Sequence, residues 1–99
     1  MVLEEAILSI TPGSEQQFEA AMQQATELFA QAQGFRSLKV RRGVEGPSTY
    51  ALHIEWDTLE DHIVGFRESE LFTRYRELVG SYFAVAPQVQ HFEEPTVVA

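Results

Sequence analysis

The run Tyr50-Ala51-Leu52-His53-Ile54-Glu55-Trp56-Asp57-Thr58-Leu59-Glu60-Asp61-His62, followed by Phe66-Arg67-Glu68-Ser69 and Phe72, changes its period part-way along. From Tyr50 to Trp56 the apolar side chains alternate, with Tyr50, Leu52, Ile54 and Trp56 in phase, as in a strand that buries one face. From Asp57 or Thr58, either of which can cap a helix, the period becomes helical: Leu59, His62, Ile63 and Phe66 fall at i, i+3, i+4 and i+7. Ser69 can cap a further helix carrying Phe72, Tyr75, Arg76 and Val79 up to Gly80. Two short helices, or one helix broken near Ser69, satisfy the pattern equally.

Working outward, the hairpin signal Glu45-Gly46-Pro47 joins this strand to another over Phe35–Val44, with the second arm spanning Ser48–Asp57. Upstream, Phe18, Ala21, Met22, Ala25, Leu28, Phe29 and Ala32 recur at helical spacing and stop at Gly34, and Ser14 with Gln17 resembles a capping box. Before Thr11-Pro12-Gly13, the aliphatic stretch Val2–Ile10 reads as the first strand. After Gly80, Phe83–Phe92 reads as the last, with Pro87 tolerated at an edge or a bulge. The order β-α-β-β-α-β predicts a ferredoxin-like α+β fold: a four-stranded antiparallel sheet with its helices on one face, in a single domain over residues 1–99.

One face of such a sheet stays uncovered. Apolar residues nevertheless occur at both parities of most strands, Leu3 and Ile7 against Ala6, Leu8 and Ile10 in the first, and Phe83, Val85 and Val89 against Ala84, Ala86 and Phe92 in the last. A sheet facing only water on one side alternates more cleanly. Self-association burying the second face, hence a homodimer, is the expectation.

Composition narrows the partners. Fifteen acidic residues against seven basic ones give a formal net charge of −8, so nucleic acid and anionic membrane surfaces are repelled over most of the surface. Without an apolar stretch of about 20 residues or a leader-like N-terminus, a cytoplasmic location is expected. The absence of cysteine removes disulfides, thiolate metal sites and cysteine nucleophiles. No phosphate loop, nucleophile elbow or metal-binding helix motif is present, so any chemistry rests on scattered residues.

The three histidines, His53, His62 and His91, lack ligand spacing, and no metal or other cofactor is expected from them. His53 and His91 read as surface or interface residues. His62 lies on the apolar stripe of its helix, as either a hydrogen-bonded core histidine or a pocket acid or base. Arg76, between Phe72 and Val79, directs a permanent charge toward an apolar face. It must pair with a carboxylate such as Glu4, Glu5 or Glu55, snorkel to solvent, or clamp an anion in a pocket. Trp56 can be core or a wall for an aromatic ligand. Lys39, Arg41 and Arg42 form a basic cluster too small to outweigh the acidic balance.

The stretch from Tyr50 to His62, with Phe66-Arg67-Glu68-Ser69 and Phe72 behind it, resembles the signature region of the antibiotic biosynthesis monooxygenases, and the element order extends the likeness to nearly the whole chain. The resemblance implies a dimeric α+β barrel with a pocket between each subunit's sheet and helices. It also implies a cofactor-free monooxygenase acting on a small aromatic or phenolic compound. In that frame His62, standing where such enzymes have a tyrosine, and Arg76 take the catalytic positions, while Trp56, Leu52, Phe66 and Phe72 fall among the substrate-binding ones. Leu52 stands where an asparagine is expected, which removes a polar contact. Other members of the family degrade haem with an axial histidine. By the same spacing that position is Arg76, and the accompanying tryptophan is Phe66, so haem degradation of that kind is not expected. A non-catalytic ligand-binding or structural dimer is the remaining alternative.

Overall fold

The computed structural model describes all 99 residues. The elements are β1 (Val2–Ser9), α1 (Glu15–Ala30), β2 (Phe35–Arg42), β3 (Thr49–Trp56), a π-helix (Asp61–Phe66), α2 (Glu70–Val79), a 3₁₀ turn (Gly80–Tyr82) and β4 (Gln88–Phe92). The strands form one antiparallel sheet in the order β2-β3-β1-β4. This is the expected ferredoxin-like α+β arrangement. Both helices pack on one face.

Period two decides what each strand buries. On the helix side lie Ala6, Leu8 and Ile10 of the first strand and Tyr50, Leu52, Ile54 and Trp56 of β3, all at most 4% exposed. Helix α1 meets them with Phe18, Met22, Ala25, Leu28 and Phe29, the buried part of its stripe. Near the sheet's Trp56 end these become an aromatic cluster, in which Phe29 stacks on Phe66 at 4.7 Å and meets Tyr75 edge-on at 5.1 Å. Each such ring contributes roughly 1.5–3 kcal/mol by leaving water.

The ends of the elements depart from expectation. Ser14 occupies the position before α1, but its hydroxyl makes no capping bond; Glu15 Oε1 instead accepts from Gly13 N–H at 3.0 Å. The expected final strand Phe83–Phe92 shortens to Gln88–Phe92, with Phe83 joined to Ile10 by an isolated bridge. Pro87 thus lies just before an edge strand, where no ladder hydrogen bond is lost.

The second helical segment differs most. Thr58 Oγ1 accepts from Asp61 N–H at 3.1 Å, and the chain then winds as a π-helix, closed by the Arg67 N–H to His62 carbonyl bond at 3.0 Å. Wider winding breaks the i, i+3, i+4, i+7 coincidence. His62 and Phe66 go into the core, while Leu59 is exposed and Ile63 only half-buried. Gly34 supports this segment from below. It adopts φ +79°, its carbonyl accepts from Asp57 N–H, and a side chain there would meet the Asp61 carboxylate.

The uncovered face is more polar than the alternation in β1 suggested. Leu3, Ile7, Ala51 and Phe92 are its larger apolar members. Between them run Glu5, Gln90, His53, Glu55, Lys39 and Arg41, because β2 and β3 present mainly polar residues on that side. No helix is long and apolar enough to cross a membrane.

Candidate active site

The central strand β1 carries a glutamate in phase with its apolar row. Glu4 is paired with Ile54 on one side and His91 on the other, so its side chain enters the helix-covered layer and is only 6% exposed. Such a carboxyl group requires partners. Its Oε1 accepts from the Trp56 indole N–H at 3.0 Å and lies 3.2 Å from His62 Nε2. The other nitrogen of His62, Nδ1, is 2.7 Å from His91 Nε2. His62 is itself 3% exposed and lies flat on Trp56, ring centroids 5.3 Å apart. Glu4, His62 and His91 thus form a line from the central strand to the edge strand, hydrogen-bonded between the two histidines and in close polar contact between His62 and Glu4.

This line borders a cavity of about 250 Å³ between the sheet and α2. Glu4 and His62 are at its floor, Ala6, Leu8, Phe72 and Phe83 supply apolar wall, and Arg67 and Arg76 stand at the rim, both exposed. Neither guanidinium has a carboxylate partner within 4.0 Å, the ion pairs being Arg36–Asp57, His53–Glu5 and His62–Glu4. The size suits a ligand of one or two rings, below the ~300–1,000 Å³ of drug-sized sites. A larger, shallower groove between α1 and β2, about 510 Å³, holds no comparable buried titratable pair; there the Tyr50 hydroxyl donates to Glu19.

Burial dominates the electrostatics. It pushes the Glu4 carboxyl up to about 7 against the opposing pull of the Trp56 N–H and the Arg67 charge. The His62 imidazole is pushed down to about 4 by burial, with His91 and Arg67 adding to it. His91 is lowered for the same reasons, burial and then Arg67. Tyr75, buried beside them, has its phenol raised well above the usual range, by burial first and by Glu4 second. Both members of the Glu4–His62 pair are therefore driven toward their neutral forms.

Of the residues singled out in the sequence, His62, Arg76 and Phe72 line the cavity. Trp56 and Phe66 lie one layer behind, packed on His62 and on Phe72 respectively. Leu52 is 1% exposed in the core and does not line it. Arg76 does not point into an apolar face: Tyr75 is the buried residue of that turn, and the Arg76 guanidinium stands at the rim 5.9 Å from the Phe72 ring. His91, read from sequence as a surface or interface residue, is half-buried against His62. His53 is on the opposite face, with Glu5 Oε2 at 3.0 Å and Arg41 at 3.3 Å. Glu4, His91 and Arg67 were missed as site residues. Only Glu4 left a trace, sharing the parity of Ala6, Leu8 and Ile10.

Residues 1–78 match the sequence profile of the antibiotic biosynthesis monooxygenases. The chain belongs to the antibiotic biosynthesis monooxygenase family. Within sequence range, it is 36% identical over 94 residues to the uncharacterized protein YczJ of Bacillus subtilis, covering 95% of this chain and 99% of that one. It is also similar to a candidate antibiotic biosynthesis monooxygenase of known structure from Bordetella bronchiseptica, at 39% identity and TM-score 0.93 over 95% and 96% of the two chains. A cofactor-independent oxygenase from Streptomyces nogalater, SnoaB in a mutant form, shares the family fold at TM-score 0.80, 12% identity and coverage of 98% and 95%.

Proposed function

We propose that this antibiotic biosynthesis monooxygenase family member oxidises a small phenolic or similarly acidic aromatic compound with dioxygen and without a cofactor. The observation that carries this reading is a buried carboxyl–imidazole pair at the floor of a small, largely apolar cavity rimmed by two unpaired guanidinium groups. The name of the Streptomyces nogalater relative, a cofactor-independent oxygenase, supports the same reaction type.

Loss of the phenolic proton makes the ring electron-rich enough to pass one electron to dioxygen. The resulting phenoxyl radical and superoxide combine in a new carbon–oxygen bond, and the hydroperoxide then loses water. The sum is one phenol and one dioxygen giving one quinone and one water. The protein's part is to remove the proton, stabilise the phenolate and exclude bulk water. His62 belongs to the acid–base unit, although its two nitrogens are already directed at Glu4 and His91. Arg76, joined by Arg67, stabilises the anion from the rim, and Phe72 forms the wall nearest it. Trp56 acts through Glu4 and His62 rather than by touching the ring.

The same fold can instead act as a non-catalytic binding dimer, a reading favoured by the placement of both His62 nitrogens against protein groups, Nδ1 bonded to His91 and Nε2 beside Glu4. Oxygen uptake measured over a panel of one- and two-ring phenols separates the two: stoichiometric conversion to quinone supports the enzyme, and tight binding without uptake supports the binder. Dimerisation through the uncovered face belongs to this proposal. Sedimentation at micromolar concentration is expected to give a dimer, and a species of 11.2 kDa alone would contradict it.

A further inference from the structure

We infer that Glu4 is the base that takes the ligand's proton, through its Oε2, and that His62 and His91 are positioning residues that hold Glu4 ready to do so. The inference rests on the phenolic-ligand reading above. It goes further by moving the proton-accepting atom from the imidazole to the carboxylate.

The geometry leaves few alternatives. His62 Nδ1 is hydrogen-bonded with His91 Nε2, and its other nitrogen, Nε2, faces Glu4 Oε1 at 3.2 Å without closing a hydrogen bond to it, so the ring presents its remaining nitrogen to the carboxylate. The two oxygens of Glu4 are unequal. Oε1 accepts from the Trp56 indole N–H and has His62 Nε2 beside it at 3.2 Å, while Oε2 has no protein partner. Since no side-chain nitrogen or oxygen sealed from solvent lacks a partner, Oε2 opens on the cavity that Glu4 lines.

The protonation pattern follows. A bare lone pair on Nε2 would face the ionised Glu4 carboxylate in repulsion at 3.2 Å, so His62 carries its proton on Nε2. Its Nδ1 must then accept, and His91 supplies the donor through Nε2–H. His91 thereby fixes the His62 tautomer, much as a second partner orients a catalytic or metal-bound imidazole. The charged and titratable groups facing Glu4 are His62 from the π-helix, Arg67 after it, His91 from β4, and Tyr75 with Arg76 from α2. The arginines favour the phenolate that forms as Glu4 becomes neutral. The step balances internally. The phenolic O–H breaks, its proton goes to Oε2, and the electron pair stays on the phenolate oxygen. The overall conversion of phenol and dioxygen to quinone and water releases no proton, so the one held on Oε2 is available to the departing water. No exit path to solvent is needed.

The test uses 2-naphthol, a two-ring phenol whose neutral and ionised forms absorb differently. It is added at about pH 8.5, above the value near 7 at which Glu4 ionises and below the ~10 of an ordinary phenol. Bound to the wild-type protein it should show the naphtholate spectrum, while an indicator dye detects no proton released to the medium, because the naphtholate charge beside Oε2 holds the proton there more tightly than in the free protein. In Glu4→Gln, which keeps an acceptor for Trp56 and His62, bound naphthol should stay neutral, or ionise only with release of one proton per site. His62→Gln should keep the naphtholate signal. In the nitrogen-15 spectrum above pH 7, His62 should carry its proton on Nε2 in the wild type and become a tautomer mixture in His91→Leu.

Naphtholate formed in Glu4→Gln without proton release, or lost in His62→Gln but not in Glu4→Gln, would return the role to the imidazole. A wild-type His62 protonated on Nδ1 would remove the role given to His91, and failure of naphthol to bind overturns the inference. Naphtholate formed through Glu4 with no oxygen uptake by any phenol leaves the base assignment standing and defeats the monooxygenase reading instead.

Discussion

Glu4 and Glu5 are neighbours in β1 and each meets a histidine, one on either face of the sheet. On the covered face, Glu4 and His62 approach to 3.2 Å with side chains 8% and 4% exposed. On the uncovered face, Glu5 and His53 approach to 3.0 Å at 29% and 27%. Each histidine also has a second neighbour, His91 for the first and Arg41 for the second. The residue types and distances are nearly alike, and what separates the two faces is water: burial drives the Glu4 carboxyl up to about 7. Loss of water is what makes a carboxylate a base near neutrality.

The largest expected difference between the two faces is catalytic. Glu4→Gln should lower the rate of phenol-dependent oxygen uptake by about 10²–10⁴-fold, the usual worth of a positioned acid or base, whereas Glu5→Gln should leave it within about twofold. Equal losses in steady-state oxygen-electrode assays would erase the distinction.

The second expectation concerns stability against pH. Between its ordinary 4.5 and about 7, folded Glu4 keeps a proton that the unfolded chain has released. Raising pH through that window therefore costs stability. Folded His62 stays neutral down to about 4, while the unfolded chain binds a proton below 6.5, so raising pH from 4 to 6.5 gains stability. In the wild type the two slopes oppose and largely offset. Glu4→Gln removes one, and its thermal melts should show stability rising from pH 4 to 6.5 by at most about 3 kcal/mol. His62→Gln should show the reverse between 4.5 and 7. Parallel wild-type and Glu4→Gln curves would mean that the pair is not what sets the two shifts.

A smaller effect tests the support beneath the buried pair. Gly34→Ala must hold a side chain at φ +79° and displace the Asp61 carboxylate, which should cost about 1–2 kcal/mol in denaturant melts. No loss would show that the start of the π-helix is free to move. The smallest stability change belongs to Arg76. Exposed and without an ion-pair partner, it should yield Arg76→Leu within about 0.5 kcal/mol of the wild type, while naphtholate affinity falls severalfold. A drop of about 3–5 kcal/mol would reveal a buried pairing instead.

Much of the frame was legible because it depends on local period. Leu52, Ile54 and Trp56 alternate within a few residues, and Phe18, Met22, Ala25 and Phe29 repeat along one helix; both patterns survive in the fold. The site depends on register between distant strands. Glu4 meets Trp56 because β1 and β3 pair over their whole length, and His91 reaches His62 because β4 lies against the other edge of β1. Neither pairing leaves a mark at short range. The π-helix was hidden for another reason: a single wide turn uses the same residue types as an ordinary one, yet it shifts Leu59 and Ile63 outward. Sequence left Arg76 open between an ion pair, a charge carried to solvent and an anion clamp, and the fold puts its guanidinium exposed at the cavity rim because Tyr75 and Val79 are the residues that α2 buries.

Trp56 is the chain's single tryptophan, and its indole both donates to Glu4 and lies flat against His62. Indole emission depends on its hydrogen bond and is quenched by a charged imidazolium at stacking distance. The protein thus carries a built-in optical gauge of its own acid–base pair, with no competing tryptophan to subtract. Ionisation of Glu4, charging of His62 and arrival of a ligand should each change the brightness or colour of one fluorophore, so stopped-flow emission can order these events in time without a label.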